Sequence, residues 1–324
     1  MSATVPPHGA APPASDAGSR APSALTRWLD SDVAYSFRRS PVAVLSAAVL
    51  ALLLGGALFA PLIAPQDPFD LAQLSLMDSF KPPAPAQEGE WAYPLGTDDQ
   101  GRDVLSGIMY GTRVSLIVGV LSVLFAVAVG VTVGLVAGYL GGTTDAVLMR
   151  VADIQLTFPA ILIALLVDGV VGAALPQDVQ EGAQIYVLIF SIGISYWPQF
   201  ARTVRGSTLV ERGKDYVMAA RVIGLSAPRI LVTHILPNVL GPVLVIGTLT
   251  LGLAILSEAT LSFLGVGLPP TQPSLGTLIR IGNAFLFSGE WWITVFPGVA
   301  LVFMVLAINL LGDWLRDALN PRLR

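Results

Sequence analysis

Apolar residues in this chain come in long runs divided by short polar stretches. Residues 41–64, 114–140, about 158–175, 185–201, 239–264 and 292–311 are each dominated by aliphatic side chains, Gly and Phe. About 20 such residues in a helix cross the roughly 30 Å hydrocarbon core of a bilayer. The pattern therefore predicts an all-α chain, a polytopic membrane helical bundle of six transmembrane helices. The third run is the weakest, because Asp168 and two glycines interrupt it. It reads either as a short helix ending in a protein-lined cavity or as a span with an interfacial Asp, since a lipid-facing carboxylate near mid-bilayer is costly.

Charge orients the runs. The N-terminal flank, 141–157, 202–238 and the C-terminus carry 4, 1, 6 and 3 of the Arg and Lys residues, 14 of 18 in all, while eight Asp and Glu lie between Asp67 and Asp103. The positive-inside rule then predicts both termini in the cytoplasm. Residues 1–24, rich in Pro, Ala and Ser, read as a disordered cytoplasmic tail. Residues 25–64 are a flank and first helix, 65–112 an extracytoplasmic loop, and 113–324 a core of five helices containing the loop 202–238. Arg38 and Arg39 before the first run invite a signal-peptide reading, but about 24 apolar residues exceed a signal core of roughly 7–15, which predicts a retained helix.

Composition agrees and excludes whole classes. With 54% hydrophobic and 12% charged residues and a mean hydropathy of +0.71, a soluble domain is ruled out. Zero cysteines exclude disulfides, iron–sulfur clusters and thiolate zinc, and His8 and His234 lie far apart, so no metal site is expected. A net charge of −4 argues against nucleic acid as a partner.

Three stretches carry more detailed expectations. In the second span Gly130, Gly134 and Gly138 recur every fourth residue, with Ser115 and Gly119 on neighbouring turns, predicting a flat stripe against another helix. In 65–112 the apolar Phe69, Leu71, Leu74 and Leu76 and the cluster Asp98, Asp99, Arg102 and Asp103 predict a partly ordered cap. That cluster either ties the loop together or contacts an incoming protein or peptide, with the tie favoured. In 202–238 Asp215 can cap a short helix, Gly224 can end it in a left-handed conformation, and Ser226 with Pro228 can start another. Ala219 and Ala220 leave that helix little bulk, so it can seat closely in a partner's groove, and Leu236-Pro237-Asn238 is expected to break the chain before the next span. The plain alternative is a basic anchor on the inner leaflet.

The run Ala219-Ala220, Gly224 and Leu236-Pro237 resembles the Glu-Ala-Ala loop of ABC-importer inner-membrane permeases, with Met218 standing where many members carry Glu. His234 to Asn238 looks like the branch that handles dipeptides, oligopeptides and nickel. Pro94-Leu-Gly-Thr-Asp-Asp-Gln-Gly-Arg-Asp103 and the stretch from Glu258 to Pro270 resemble further segments of the peptide branch. The resemblance implies that Asp215, Tyr216, Ala219, Ala220, Gly224, His234, Leu236 and Pro237 form an ATPase-coupling loop. It also implies a second homologous permease, two ABC ATPases that bind ATP and Mg, and an extracytoplasmic substrate-binding protein, all around a multi-pass chain of the cytoplasmic membrane.

The chain itself shows no ATP-hydrolysing motif: Gly213-Lys214 is followed by Asp215, and the Gly-x-x-x-x-Gly-Lys-Ser/Thr pattern is missing. No catalytic residue, cofactor or metal is expected in it, and the resemblance makes it a transport subunit rather than an enzyme. A nickel importer of the same family and an ion-coupled secondary transporter are the alternatives. The lack of Cys and of membrane-embedded His favours peptide over nickel, and the ion-coupled reading needs mid-bilayer ligands, for which Asp168 and Glu258 are the candidates. The same two carboxylates are the candidates for the translocation path. Glu258 either lines the path or ties an outer loop.

Overall fold

The structure, a computed structural model, describes residues 32–70, 74–84, 86, 88–174, 177–268 and 272–319. The expected tail at 1–24, His8, Leu71, Leu175, Pro269, Pro270 and the segment 320–324 lie outside them. Contacts divide the chain into two units at Ser40. In the first, helix α1 (Asp32–Arg39) places Arg38 and Arg39 in its last turn, where cations meet the negative end of the helix dipole.

The second unit opens with α2 (Pro41–Ile63), started by a proline whose missing N–H costs nothing in a first turn. Its buried residues are the small Ala43, Ser46, Ala57 and Ala60, whereas Leu45, Leu52, Leu58 and Leu62 are exposed. Small inside and large outside is the distribution expected where lipid bathes the outer face and close packing drives helix association.

Helix α3 (Val104–Leu140) is the strut of the unit, 37 residues or about 55 Å long. Gly107, Gly111, Ser115, Gly119, Ser122, Ala126, Gly130, Gly134 and Gly138 are all buried and follow one another at three- or four-residue steps, so a continuous band of small residues winds along nearly its whole length. Helices α4 (Gly142–Leu156) and α5 (Ala160–Ala174) follow, then α6 (Gln177–Glu211). A Cβ added at Gly134 would stand 2.6 Å from the Ala201 oxygen and 2.7 Å from Val204 Cβ of α6, and one at Gly138 2.7 Å from Thr208 Cβ. The upper stripe meets other partners: Gly119 backs on Ile255, and Gly111 on the backbone of Ser274 and Leu275.

Beyond α6 come α7 (Asp215–Val222), α8 (Ala227–Ile230), a π turn (Leu231–Ile235), α9 (Leu236–Phe263), α10 (Leu275–Asn283) and α11 (Trp292–Leu319). Ser274 caps α10 by accepting from Thr277 N–H. One apolar core joins α6 to the second half of α3 and the start of α9; another joins the first half of α3 to α10, α11 and the end of α9.

Two expectations are corrected. The third run does not begin a straight span at Phe158. It is the second limb of a pair, Gly142–Leu156 with Ala160–Val171, bent by 92°. Pro159 supplies no amide for the ladder and drives Phe158 out of helical geometry, which ends α4 and restarts the helix as α5. Nor does Leu236-Pro237-Asn238 break the chain. Ala227–Phe263 runs as one 37-residue span, with the π turn widening the ladder just before Pro237 so that the Leu236 amide reaches the Leu231 oxygen. Pro41–Ile63, Val104–Leu140, Ala227–Phe263 and Trp292–Ala318 are four helices long and apolar enough to cross a membrane, five if the bent pair counts as one.

Candidate functional site

The candidate site is the loop between α6 and α9. Its short helix is entered at Lys214, whose extended backbone takes the cap position without a side-chain bond, so Asp215 is the first helical residue and not the cap. An acid there still suits the positive end of the helix dipole. At the far end Gly224 has φ +81°, its N–H donates to Arg221 O at 3.0 Å, and the Leu225 N–H donates to Ala220 O at 3.1 Å. This paired closure needs a left-handed residue, and glycine adopts one without a Cβ clash.

Burial splits α7 into two faces. Val217 and Ala220 turn into the core with Ile230 and Ile235, while Tyr216, Met218, Ala219, Val222 and Ile223 are exposed, Val222 by 87%. Ala219 and Ala220 therefore do not act as a pair: Ala220 is small to fit its own chain, and Ala219 lies on the open face. Leu236 is half-buried and Pro237 exposed, both within the continuous helix.

Four ties hold this loop and its neighbourhood to the bundle. Arg212 Nη1 donates to Gly138 O at 2.9 Å, the Arg221 guanidinium lies 4.8 Å over the Tyr139 ring, and the Arg205 fork grips both carboxylate oxygens of Asp145 on α4. The fourth centres on Tyr216, whose Oη donates to the Glu211 carboxylate and accepts from Asn238 Nδ2 at 3.2 Å. Asn238 Nδ2 also donates to His234 O at 2.7 Å, and Lys214 Nζ lies 2.6 Å from Glu211 Oε1. Burial first, then the bond to Glu211, push the Tyr216 phenol up to about 12. The His234 ring contributes through Nδ1, 2.7 Å from Thr233 Oγ1. Glu211 and Arg212 are not singled out by the sequence, and Asn238 enters it only as the end of the Leu236-Pro237-Asn238 stretch, not as a partner of Tyr216. Their spacing follows no helical or strand period, and only the fold brings them to Tyr216 and Gly138.

The opposite end of α3 carries the segment 65–103. Asp98 and Arg102 are a buried pair, Arg102 Nε to Asp98 Oδ2 at 2.7 Å, and Asp98 Oδ1 accepts from the Arg102 N–H at 2.9 Å. Asp103 caps α3 by accepting from Ser106 N–H at 2.7 Å, while its own N–H donates to Gln66 Oε1. Burial pushes the Asp103 carboxyl up against the lowering pull of Ser106. Trp292 Nε1 donates to Thr97 O at 3.0 Å, and Phe80 packs edge-on against Phe285 at 5.0 Å. Asp99 lies at the margin, 4.0 Å from Arg102 Nη2. This end is a knot of buried polar groups bonded mostly within the chain, with Asp103 Oδ1 buried and left without a hydrogen-bond partner among the described residues.

The two candidate path carboxylates differ. Glu258 is fully buried, accepting from Ser115 Oγ on α3 and from Ser262 Oγ, each at 2.7 Å, while Ser115 Oγ also accepts from the Leu275 N–H at the start of α10. The carboxylate thus ties α3, α9 and α10 together. Asp168 sits half-buried in α5, remote from that cluster in the chain.

Residues 130–324 match the family described as the binding-protein-dependent transport system inner membrane component, and residues 27–83 match the N-terminal transmembrane domain of oligopeptide transport permease C. The chain belongs to this transport family. It is 42% identical over 288 residues to the dipeptide transport system permease of Escherichia coli K12, covering 89% of this chain and 91% of that one. It is 39% identical over 267 residues to the dipeptide permease of Haemophilus influenzae (82% and 86% covered), and 35% over 312 residues to the di/tripeptide permease of Pseudomonas aeruginosa (96% and 97%). A chain of the MetNI methionine ABC transporter in an inward-facing conformation shares the fold at a TM-score of 0.52 and 19% identity, covering 65% of this chain and 94% of that one. As a member of the permease family with several apolar helices, the chain is a multi-pass inner-membrane protein and a transport subunit.

Proposed function

We propose that this permease is one half of the translocation path of an ATP-driven importer of di- or oligopeptides. The observation that carries the reading is the split face of α7. Its inner side is anchored in the bundle, and its outer side presents Met218, Val222 and Ile223 beyond the ends of the spans. An apolar surface held on a rigid base suits a protein partner. In this family that partner is the ATPase, and the residues from Asp215 to Pro237 are its coupling loop.

In the proposed assembly α6 joins the other apolar helices and the bent pair as a further span, making six, with both termini in the cytoplasm as the Arg and Lys distribution favours. A second homologous permease faces this one, two ABC ATPases bind ATP and Mg beneath the loops, and an extracytoplasmic binding protein delivers the substrate. No cofactor is assigned to this chain. Closure of the ATPase pair draws the loops together, and rigid-body rotation of the bundles reverses access. The relatives named for dipeptides and tripeptides support peptide as cargo rather than nickel.

Vesicles containing the assembled transporter should take up labelled trialanine with ATP, without inhibition by a protonophore or by excess nickel. Uptake abolished by the protonophore in the presence of ATP would discard the ATP-driven reading, and ATP-driven uptake of nickel with none of trialanine would discard peptide as cargo.

A further inference from the structure

We propose that Tyr216 is a positioning residue, a latch that makes the coupling helix α7 and the π turn before α9 move as one lever hinged on Glu211. The inference rests on the reading of α7 as the ATPase contact and extends it to how force leaves that contact.

Tyr216 stands in the first turn of α7, on the same short helix whose open face carries Met218 and Val222. Its ring offers one hydroxyl to three elements. The hydroxyl donates to the carboxylate of Glu211 at the end of α6, it accepts from Asn238 of α9, and it lies 3.4 Å from the His234 oxygen within the π turn. Glu211 is itself fixed: it is 9% exposed and braced by Lys214 at 2.6 Å. The bond to it is charge-assisted and directional, so a rotation of α7 cannot proceed without pulling on this point.

The third element is where the long helix can yield. Ala227–Phe263 is continuous, yet its ladder widens over Leu231–Ile235, directly ahead of Pro237, which has no N–H to give back to the turn. Wide turns of this kind are the places at which a helix bends at low cost. Asn238 bridges the turn by donating to both Tyr216 Oη and His234 O. Motion of α7 therefore arrives at the wide turn before α9 through the Tyr216 hydroxyl. From there it passes into a helix that carries Glu258 and its tie to α3 and α10 at the opposite end.

The test uses the complete transporter in vesicles, measuring trialanine uptake and ATP hydrolysis in the same preparation, with recruitment of the ATPase read by pull-down. Tyr216→Phe keeps the ring and removes the hydroxyl. It should still recruit the ATPase, while peptide imported per ATP hydrolysed falls about three- to tenfold. Asn238→Ala should reproduce the fall, and the double variant should be no worse than either, because both cut the same link. A merely structural loss lowers uptake and hydrolysis together and leaves their ratio unchanged; that result in both variants would overturn the latch. Val222→Asp on the open face separates the two levels of inference. Full recruitment by Val222→Asp would overturn the reading of α7 as the contact, and the latch with it. Lost recruitment there, with an unchanged ratio in Tyr216→Phe and Asn238→Ala, would overturn the latch alone.

Discussion

The two ends of α3 are built on opposite terms. At its start, Thr97, Asp98, Arg102, Asp103 and Ser106 are all buried, and most of their polar atoms are bonded to one another or to Gln66, Asp78, Lys81 and Trp292, Asp103 Oδ1 excepted. At its end, the loop that packs against Gly138 and Tyr139 is pinned by a few charged and aromatic ties, and its short helix leaves Met218, Val222 and Ile223 in the open. Most of these buried polar groups have their partners inside this chain, so the first end is held mainly from within. Exposed apolar groups beyond the spans gain from being covered, and in the proposed assembly the ATPase covers them. The lesson is that structural and functional chemistry can be separated by asking where the partners of each group lie.

The contrast breaks most strongly if the first end is opened. Asp98→Ala leaves the Arg102 guanidinium buried without its carboxylate and should cost about 3–5 kcal/mol, read as a lowered melting temperature of the solubilised chain. ATPase recruitment per folded molecule should stay unchanged, and a drop in it would show that the two ends are not separate. Gly134→Leu attacks the strut between them. With the Ala201 oxygen 2.6 Å from the added Cβ, backbone must move, and about 1–3 kcal/mol should be lost together with assembly yield. Normal yield, with strong labelling of position 134 by a lipid-soluble probe, would place that face in lipid.

Smaller effects sharpen the description of the loop. Gly224→Val forces a β-branched residue to φ +81° and should cost about 1–2 kcal/mol, with faster amide exchange confined to α7; exchange spread over the whole bundle would make the turn part of the core. Val222→Asp should change stability by no more than about 0.5 kcal/mol yet weaken pull-down of the ATPase. A large loss of stability there would mean that the open face is packed after all.

Much of this was readable along the chain, and the misreadings share a cause. The four long apolar helices, the glycine stripe and the turn at Gly224 rest on hydropathy, residue size and backbone freedom, all of which are local. Asp215 was expected at the cap, but chain geometry puts Lys214 there. Pro237 was expected to break the helix, because the general cost of an internal proline says nothing of a π turn that accommodates it. Ala219 and Ala220 looked equivalent because each is small, and their separation into an open and a buried face depends on how α7 docks.

By itself, then, the sequence determined that the chain is helical, that long apolar segments cross a membrane, and that a small-residue face must meet another backbone. Those follow from solvent and sterics, which act on each segment independently. Tertiary structure alone decided which backbone that is, that the third run is bent by 92° into two limbs, that Glu258 closes on Ser115 across 143 positions of chain, and that Tyr216 meets Glu211 and Asn238. Hydrogen bonds and close contacts are short-ranged and directional, so their partners exist only once the helices have docked.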